Sequence, residues 1–353
     1  MWAFRKLQSF FTRTPVYRVG WATFESFFYH KRRTSQLRSF SRIRAGNIRE
    51  WINAHTSVFY NELYHPKRQY DIVIFHKIMD SRCQAEVQRI QQYGGKVIFD
   101  ANVNYYEIWG EYHIPDTQPT KDQQRDAIWM TSHADWVVAD SSYIAGIARK
   151  FAKHVTWIPD NVNLDIYDGE KIHQAKQPVI LIWSGWSTKA VHLLEIKDVL
   201  ARLEHVELRV VSEKEPEVMP TLQKCLPCHF FRFKAQTYAA QLLDSDIIIS
   251  PKRLVNGYAL GHSEYKISLG MAVGLPAVAS PQQSYIDAIS YKQGGIIADT
   301  NQEWLEALQQ LVKDYTLRHD MGLRARQTVI ERYSTPVVAA QYLHLLQHLK
   351  DRA

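Results

Sequence analysis

From about residue 70 onward, short β-branched runs alternate with stretches of helical spacing. Apolar runs at 71–75, 96–100, 136–139 and 155–158 are rich in Val and Ile, the mark of strands buried on both faces. Between them, 81–93 carries Val87 and Ile90 at helical spacing and stops at Gly94 and Gly95; 122–133 reads as a second helix, and Asp140, Ser141 and Ser142 are good caps for a third. A polar stretch at 161–178 breaks the pattern and reads as a linker. The alternation then resumes, with strands at 179–183, 208–211, 230–233, 247–249 and 277–279 and helices at 189–203, 235–243 and 262–273. Three closing helices follow over 302–315, 316–333 and 336–349, the last with Pro336 at an early helical position. Strands alternating with helices predict an α/β protein of two doubly wound, Rossmann-like domains facing a cleft. The expected division is a first domain over 1–160, the linker, a second domain over 179–335, and a C-terminal helix over 336–353 that can return to the first domain.

The composition fits that reading: 353 residues, 46% hydrophobic and 22% charged, are enough for two domains with full cores. Three cysteines are too few for a disulfide framework and favour a reducing compartment, and no apolar run approaches the ~20 residues of a membrane span. A cytoplasmic protein is expected. Charge sharpens the picture at one end. The first 49 residues hold eleven Lys or Arg against Glu25 alone, so the rest of the chain is net −3 although the whole is +7. Trp2, Phe4, Phe10, Phe11, Trp21, Phe24, Phe27, Phe28 and Tyr29 are interleaved with these charges. Two readings stand side by side: an arm docking peripherally on an anionic membrane surface, or aromatics packing on the domain. A nucleic-acid partner is not expected, because no helix-turn-helix, finger or RNA-recognition signature accompanies the charge.

Three stretches carry candidate chemistry. Cys225, Cys228 and His229 form a CxxCH pattern, but the pair precedes a strand, no further zinc ligands accompany it, and the surroundings are not those of a small haem fold; two incidental thiols are expected. The turn Ser184, Gly185, Trp186 leads from a strand into a helix carrying Lys189, which offers backbone N–H groups, a positive dipole end and a point charge to an anion. The stretch 244–280 places Lys252, Arg253, His262, Ser263, Glu264 and Lys266 at the carboxyl end of a strand, where open parallel sheets bind ligands.

The run from Lys266 through Met271, Ala272, Gly274 and Pro276 to Ser280 resembles the nucleotide-sugar donor segment of GT-B glycosyltransferases, close to glycosyltransferase family 4. The pieces at 246–251, 294–298, 134–141 and 157–162 fall in the order that family shows, and the likeness spans about 42–349. It implies a glycosyltransferase moving a sugar from a nucleoside-diphosphate sugar, as co-substrate and without a metal or other cofactor, to a hydroxyl of a surface-polysaccharide or lipid-linked glycan, with retention. Lys189, Lys252 and Lys266 would then neutralise the diphosphate, with Ser184, Gly185, His262, Ser263 and Glu264 completing the donor site. The family's two glutamates fall on Gly261 and Leu269, and the second generally holds the ribose.

On the acceptor side, Asp100 is the best-placed carboxylate, as a base if the reaction inverts or a positioner if it retains, with His76, Asn102 and Tyr105 near it; a plain capping role is the alternative. Arg42, Arg44 and Asn47 precede a helix over 48–54 where a first GT-B domain places its acceptor loop, and a solvated basic face explains them equally. Two other functions remain open: a GT-B sugar-nucleotide epimerase, and an inactive scaffold at the membrane surface.

Overall fold

The computed structural model describes residues 16–352. The first sheet holds β1 (Tyr17–Ala22), β2 (Phe59–Leu63), β3 (Ile72–His76), β4 (Lys96–Ala101), β5 (Trp136–Ala139) and β6 (Val155–Trp157), in the order β2-β1-β3-β4-β5-β6. The second holds β7 (Val179–Ser184), β8 (Val206–Ser212), β9 (Cys228–Arg232), β10 (Ile247–Ser250), β11 (Ala277–Ala279) and β12 (Gly295–Ile297), in the order β12-β11-β10-β7-β8-β9. Every pairing is parallel. Each sheet packs apolar side chains on both faces, as parallel sheets require. The order in which strands are added reverses between β1 and β3 in the first sheet and between β7 and β10 in the second, and the crevices outside those strand ends are the natural ligand sites.

Residues 17–49 differ from a surface arm. β1 lies between β2 and β3, with Val19, Trp21 and Ala22 fully buried, and Phe24, Phe27 and Phe28 pack against the core beneath it. Arg18 and the aromatics disguise β1 in the sequence, because its apolar run is too short and too mixed to show period-two alternation. The remaining basic and aromatic positions of the expected arm, Trp2 to Arg13, lie outside the described residues. Strand β2 and the helix Gln283–Lys292 are further elements that the pattern did not show.

The expected helix at 189–203 is instead a 3₁₀ run, Ser187–Ile196, followed by one short α segment, Lys197–Leu200. Its buried residues Ala190, Leu193, Ile196 and Val199 recur every three positions, which matches three residues per turn.

The helix Thr335–Lys350 crosses back to the first sheet, burying Val338, Ala339, Tyr342, Leu345, Leu346 and Leu349 against Ile48, Ile52, Val19 and Trp21. Beneath it lies a polar cluster. A π-helical turn, Arg42–Asn47, turns Arg44 inward, where its Nη2 and Nε donate to the two Asp100 oxygens at 2.9 and 3.0 Å. Arg44 also donates to Asp160 Oδ1 and the Ile158 carbonyl, both at 3.1 Å, and the Tyr342 hydroxyl donates to Asp100 Oδ2 at 2.9 Å. His76 Nδ1 stands 3.3 Å from the same oxygen. Burial alone would raise the Asp100 carboxyl; the Arg44 charge and the hydrogen bonds from His76 and Arg44 override it and hold the group well below the carboxylate range.

Breaking this pair strands a buried charge. Asp100→Ala is expected to lower unfolding stability by about 3–5 kcal/mol in urea titrations. Because the Asp100 pKa is lower folded than unfolded, its contribution is present at neutral pH and is lost as pH falls below ~4; the gap between wild type and variant should narrow there.

Candidate functional site

The crevice between β7 and β10 gathers the site. The turn after β7 carries Lys189 on the first turn of the 3₁₀ run, the loop after β10 carries Lys252, and the helix Tyr265–Ala272 brings Lys266 between them. All three ammonium groups, with His192, Arg253 and His262, line one cleft. Lys189 Nζ lies 3.2 Å from the Tyr258 hydroxyl and 3.1 Å from His262 Nε2. His262 Nδ1 donates to the Tyr258 carbonyl at 2.6 Å, leaving Nε2 to accept from the lysine. Lys266 Nζ sits 5.2 Å from the centre of the Trp183 ring, close enough to Gly185 that a Cβ there would come within 2.8 Å of it. Lys252 Nζ donates to Gln282 Oε1 and lies 4.6 Å from the Tyr285 ring centre.

Among the described residues none of the three lysines has a carboxylate partner, and the electrostatics show it. Burial lowers Lys189 to about 8. Burial and the Lys189 charge lower Lys266 to about 7. Burial and both neighbours push Lys252 well below its ordinary value. His192, on the same 3₁₀ face as Lys189, is lowered to about 3 by burial and then by Lys266, Lys252 and Lys189. Mutually repelling, half-buried amines without carboxylate partners are suited to binding an anion.

The backbone contributes less than the sequence suggests. The Ser187 N–H donates to Glu213 Oε2 at 2.9 Å and the Gly185 N–H to the Val211 carbonyl at 3.1 Å, so neither is free for an anion. Ser184 Oγ accepts from the Tyr238 hydroxyl at 2.6 Å and Ser263 Oγ donates to Asp160 at 2.7 Å, which assigns both hydroxyls to holding the fold together.

The first half of the chain closes the cleft with a strap at residues 109–117. Gly110 bridges Asn256, Glu111 accepts from Arg253 Nη2 at 3.1 Å, and His113, Ile114 and Thr117 line the cavity. Gly110 has φ +90° and a Cβ there would fall 1.9 Å from the Val255 carbonyl, so only glycine fits. The strap, Tyr258 and Gln282 escape sequence reasoning because nothing in their spacing ties them to the lysines; His192, three residues after Lys189, carried the one usable signal.

Two positions at which the family pattern expects glutamate are explained by packing. A Cβ at Gly261 would lie 2.6 Å from Asn104 Cβ, and Leu269 is buried in the apolar core of the second half. Neither could offer a carboxylate to a ribose without rebuilding its surroundings. Glu264 is fully buried with both oxygens unpartnered; burial, Asp160 and Asp140 hold its carboxyl well above the usual range and favour the neutral acid.

The acceptor-side expectations need the larger correction. Asp100 and Arg44 are sealed in the cluster beneath the C-terminal helix and His76 is 2% exposed, so none of the three meets an acceptor. Asn47 Nδ2 donates to Asn161 at 3.3 Å. Arg42 is exposed, while Asn102 and Tyr105 line a small hollow with the half-buried Lys77, whose ammonium is lowered by burial and by Lys189 against the pull of Asp140. Cys225 and Cys228 are free thiols, Cys228 in the core at the start of β9. Among the described residues no group of three or more His, Cys, Asp or Glu is placed to hold a metal ion, and no helix is long and apolar enough to cross a membrane.

No protein-family model and no curated protein sequence matches the chain. Its fold is nevertheless shared with solved structures. The sucrose-phosphate synthase of Thermosynechococcus elongatus superposes over 96% of this chain and 100% of its own, with a TM-score of 0.69 at 13% identity. Anabaena HepE in complex with UDP-glucose covers 94% of this chain and 100% of its own, with a TM-score of 0.63 at 13% identity. WaaG, a glycosyltransferase involved in lipopolysaccharide biosynthesis, covers 92% and 99%, with a TM-score of 0.58 at 13% identity. The two facing doubly wound halves are the GT-B fold.

Because Lys266 has a lower pKa folded than unfolded, the unfolded chain binds more protons between about 7 and ~10.5, and stability rises with pH across that window. Lys266→Met removes the buried charge. It should melt at a higher temperature than wild type at pH 6, with the difference shrinking toward pH 10. Pyrophosphate binding near pH 7.5 should take up protons in wild type, read by calorimetry in buffers of different ionisation enthalpy, and should not do so to the same extent in the variant.

Proposed function

We propose that the protein is a glycosyltransferase that moves a glycosyl group from a nucleoside-diphosphate sugar to a hydroxyl of a glycan acceptor of surface-polysaccharide type, free or lipid-linked. The observation that carries this reading is the set of three half-buried amines without carboxylate partners at the switch point of the second sheet. UDP and UDP-glucose are bound by HepE, a protein of the same fold, which supports a nucleotide sugar here. The order of the donor-segment motifs supports placing the chain in glycosyltransferase family 4.

Chemically, the bond between the anomeric carbon and the departing phosphate oxygen breaks while the acceptor oxygen bonds to that carbon. The barrier is dominated by charge growing on the diphosphate, which Lys189 and Lys266 face directly and Lys252 supports. The amines supply the positive charge that a divalent cation would otherwise supply, so the proposed reaction is metal-independent. With Asp100 sealed off, the departing phosphate oxygen is the base we assign to the acceptor proton, and a base on the leaving-group face accords with retention. The reading places the protein in the cytoplasm, with the basic, aromatic residues 1–15 proposed as its contact with the inner face of the membrane.

The test is a thermal-shift panel with UDP-, GDP-, ADP- and CMP-activated sugars, followed by turnover with the donor that responds. One donor should raise the melting temperature, and Lys189→Ala and Lys266→Ala should each cut turnover about 10²–10³-fold. Conversion of a donor into its epimer without acceptor would replace this reading with an epimerase. No response to any donor, with the biological role intact in both variants, would leave a scaffold.

A further inference from the structure

Outside the donor cleft, a strongly basic surface lies on the first half of the chain. Residues 30–42 leave the helix Phe24–Tyr29 that follows β1 and run back to the Arg42–Asn47 turn. Lys31, Arg32, Arg33, Arg42 and Lys67 are exposed, and none has a carboxylate within salt-bridge distance among the described residues. The carboxylates nearby are engaged: Glu25 with Arg38 at 4.0 Å, Glu50 with Arg49 at 3.5 Å, and Glu62 with Arg68. Arg32 Nη2 donates to His65 Nε2 at 2.8 Å, so the loop after β2 joins the same patch. His65 is lowered by desolvation and then by Arg32, Arg68, His30 and Lys67, which places several cations around one ring.

The patch leads inward. Near the end of segment 30–42, the Phe40 ring faces His76 at 6.3 Å and lies 5.1 Å from Lys77 Nζ. His76 ends β3, at the switch point of the first sheet, and Lys77 follows it. Segment 30–42 therefore runs from open surface to Lys77, at the carboxyl end of the first sheet.

Resting on the glycosyl-transfer reading, we propose that the acceptor is a polyanionic glycan chain, bearing phosphate or carboxylate groups, and that segment 30–42 with Lys67 is the track along which it reaches the cleft. A lipid surface is the competing partner for a basic patch, and the aromatics argue against it here. Phe24, Phe27 and Phe28 pack on the core, and guanidinium groups cover two of them, Arg82 at 4.3 Å from the Phe28 ring centre and Arg38 at 5.2 Å from that of Phe24. The patch thus offers dispersed charge with only two exposed aromatics, Tyr29 and Phe40, among its described residues, and the Phe40 ring is turned toward His76 and Lys77, which suits a solvated polymer better than insertion among acyl chains.

The experiment compares wild type with the charge-reversed triple variant Arg32→Glu, Arg33→Glu, Lys67→Glu, none of which belongs to the donor site. Binding is measured to long-chain polyphosphate, polygalacturonate, neutral dextran, and vesicles of phosphatidylglycerol and phosphatidylcholine. Wild type should bind both anionic chains, weakening as salt rises, and should ignore dextran. The triple variant should lose about tenfold or more in chain affinity while keeping its melting temperature and its pyrophosphate binding. Should the triple variant fail to fold, Arg33→Glu alone carries the test with a loss of about two- to threefold. Chain binding that is unchanged in the variant, or equal for dextran, overturns the proposal; so does loss of vesicle binding with chain binding intact, which would make the patch a membrane contact. Donor thermal shifts on the same samples separate the two readings: their absence defeats glycosyl transfer, while the chain arms still decide the track.

Discussion

The buried pair of Arg44 and Asp100 holds the two ends of the chain in one structure. A guanidinium with five donors meets the buried Asp100 carboxylate, a second, partly exposed carboxylate at Asp160, a backbone carbonyl and the buried Tyr342 hydroxyl. Such a cluster tolerates little displacement, because loss of any partner leaves a charge in a low-dielectric interior. It joins the turn after residue 41, the end of β4, the exit from β6 and the C-terminal helix. Asp160 also accepts from Ser263 in the donor loop, so the same network reaches into the cleft of the second half.

The lysine cleft follows the opposite rule. There, three lysine amines are collected without carboxylate partners among the described residues, and their hydrogen-bond and ring neighbours are neutral: the Tyr258 hydroxyl, the unprotonated His262 nitrogen, the Gln282 amide, the faces of Trp183 and Tyr285. These neighbours hold the amines in place without neutralising them. The arrangement costs stability in the free protein and makes an incoming anion worth more, which is the usual trade at a preorganised electrostatic site.

The mismatch with the family's glutamates has a packing cause. At Gly261 the donor loop lies against Asn104 of the first half, and at Leu269 the helix turns its side chain into the core. The two glutamate positions of the family pattern are thus given over to packing, while the three lysines of the cleft are kept.

Much of the fold was legible in the chain. Val- and Ile-rich runs separated by helical spacing announced parallel sheets, and the lysines at 189, 252 and 266 stood at strand ends where such sheets bind ligands, since both facts depend only on neighbours close in sequence. β1 was hidden because its burial comes from strands that reach it from residues 59–63 and 72–76, far along the chain. Asp100 looked like a catalytic carboxylate for the same reason: its position at a strand end is local, but the arginine that claims it is 56 residues before it and the tyrosine 242 residues after. Sequence by itself determined the alternation of elements and the cations of the donor cleft; tertiary structure alone decided which charges are paired and which face solvent, because pairing depends on contacts between segments that only folding brings together.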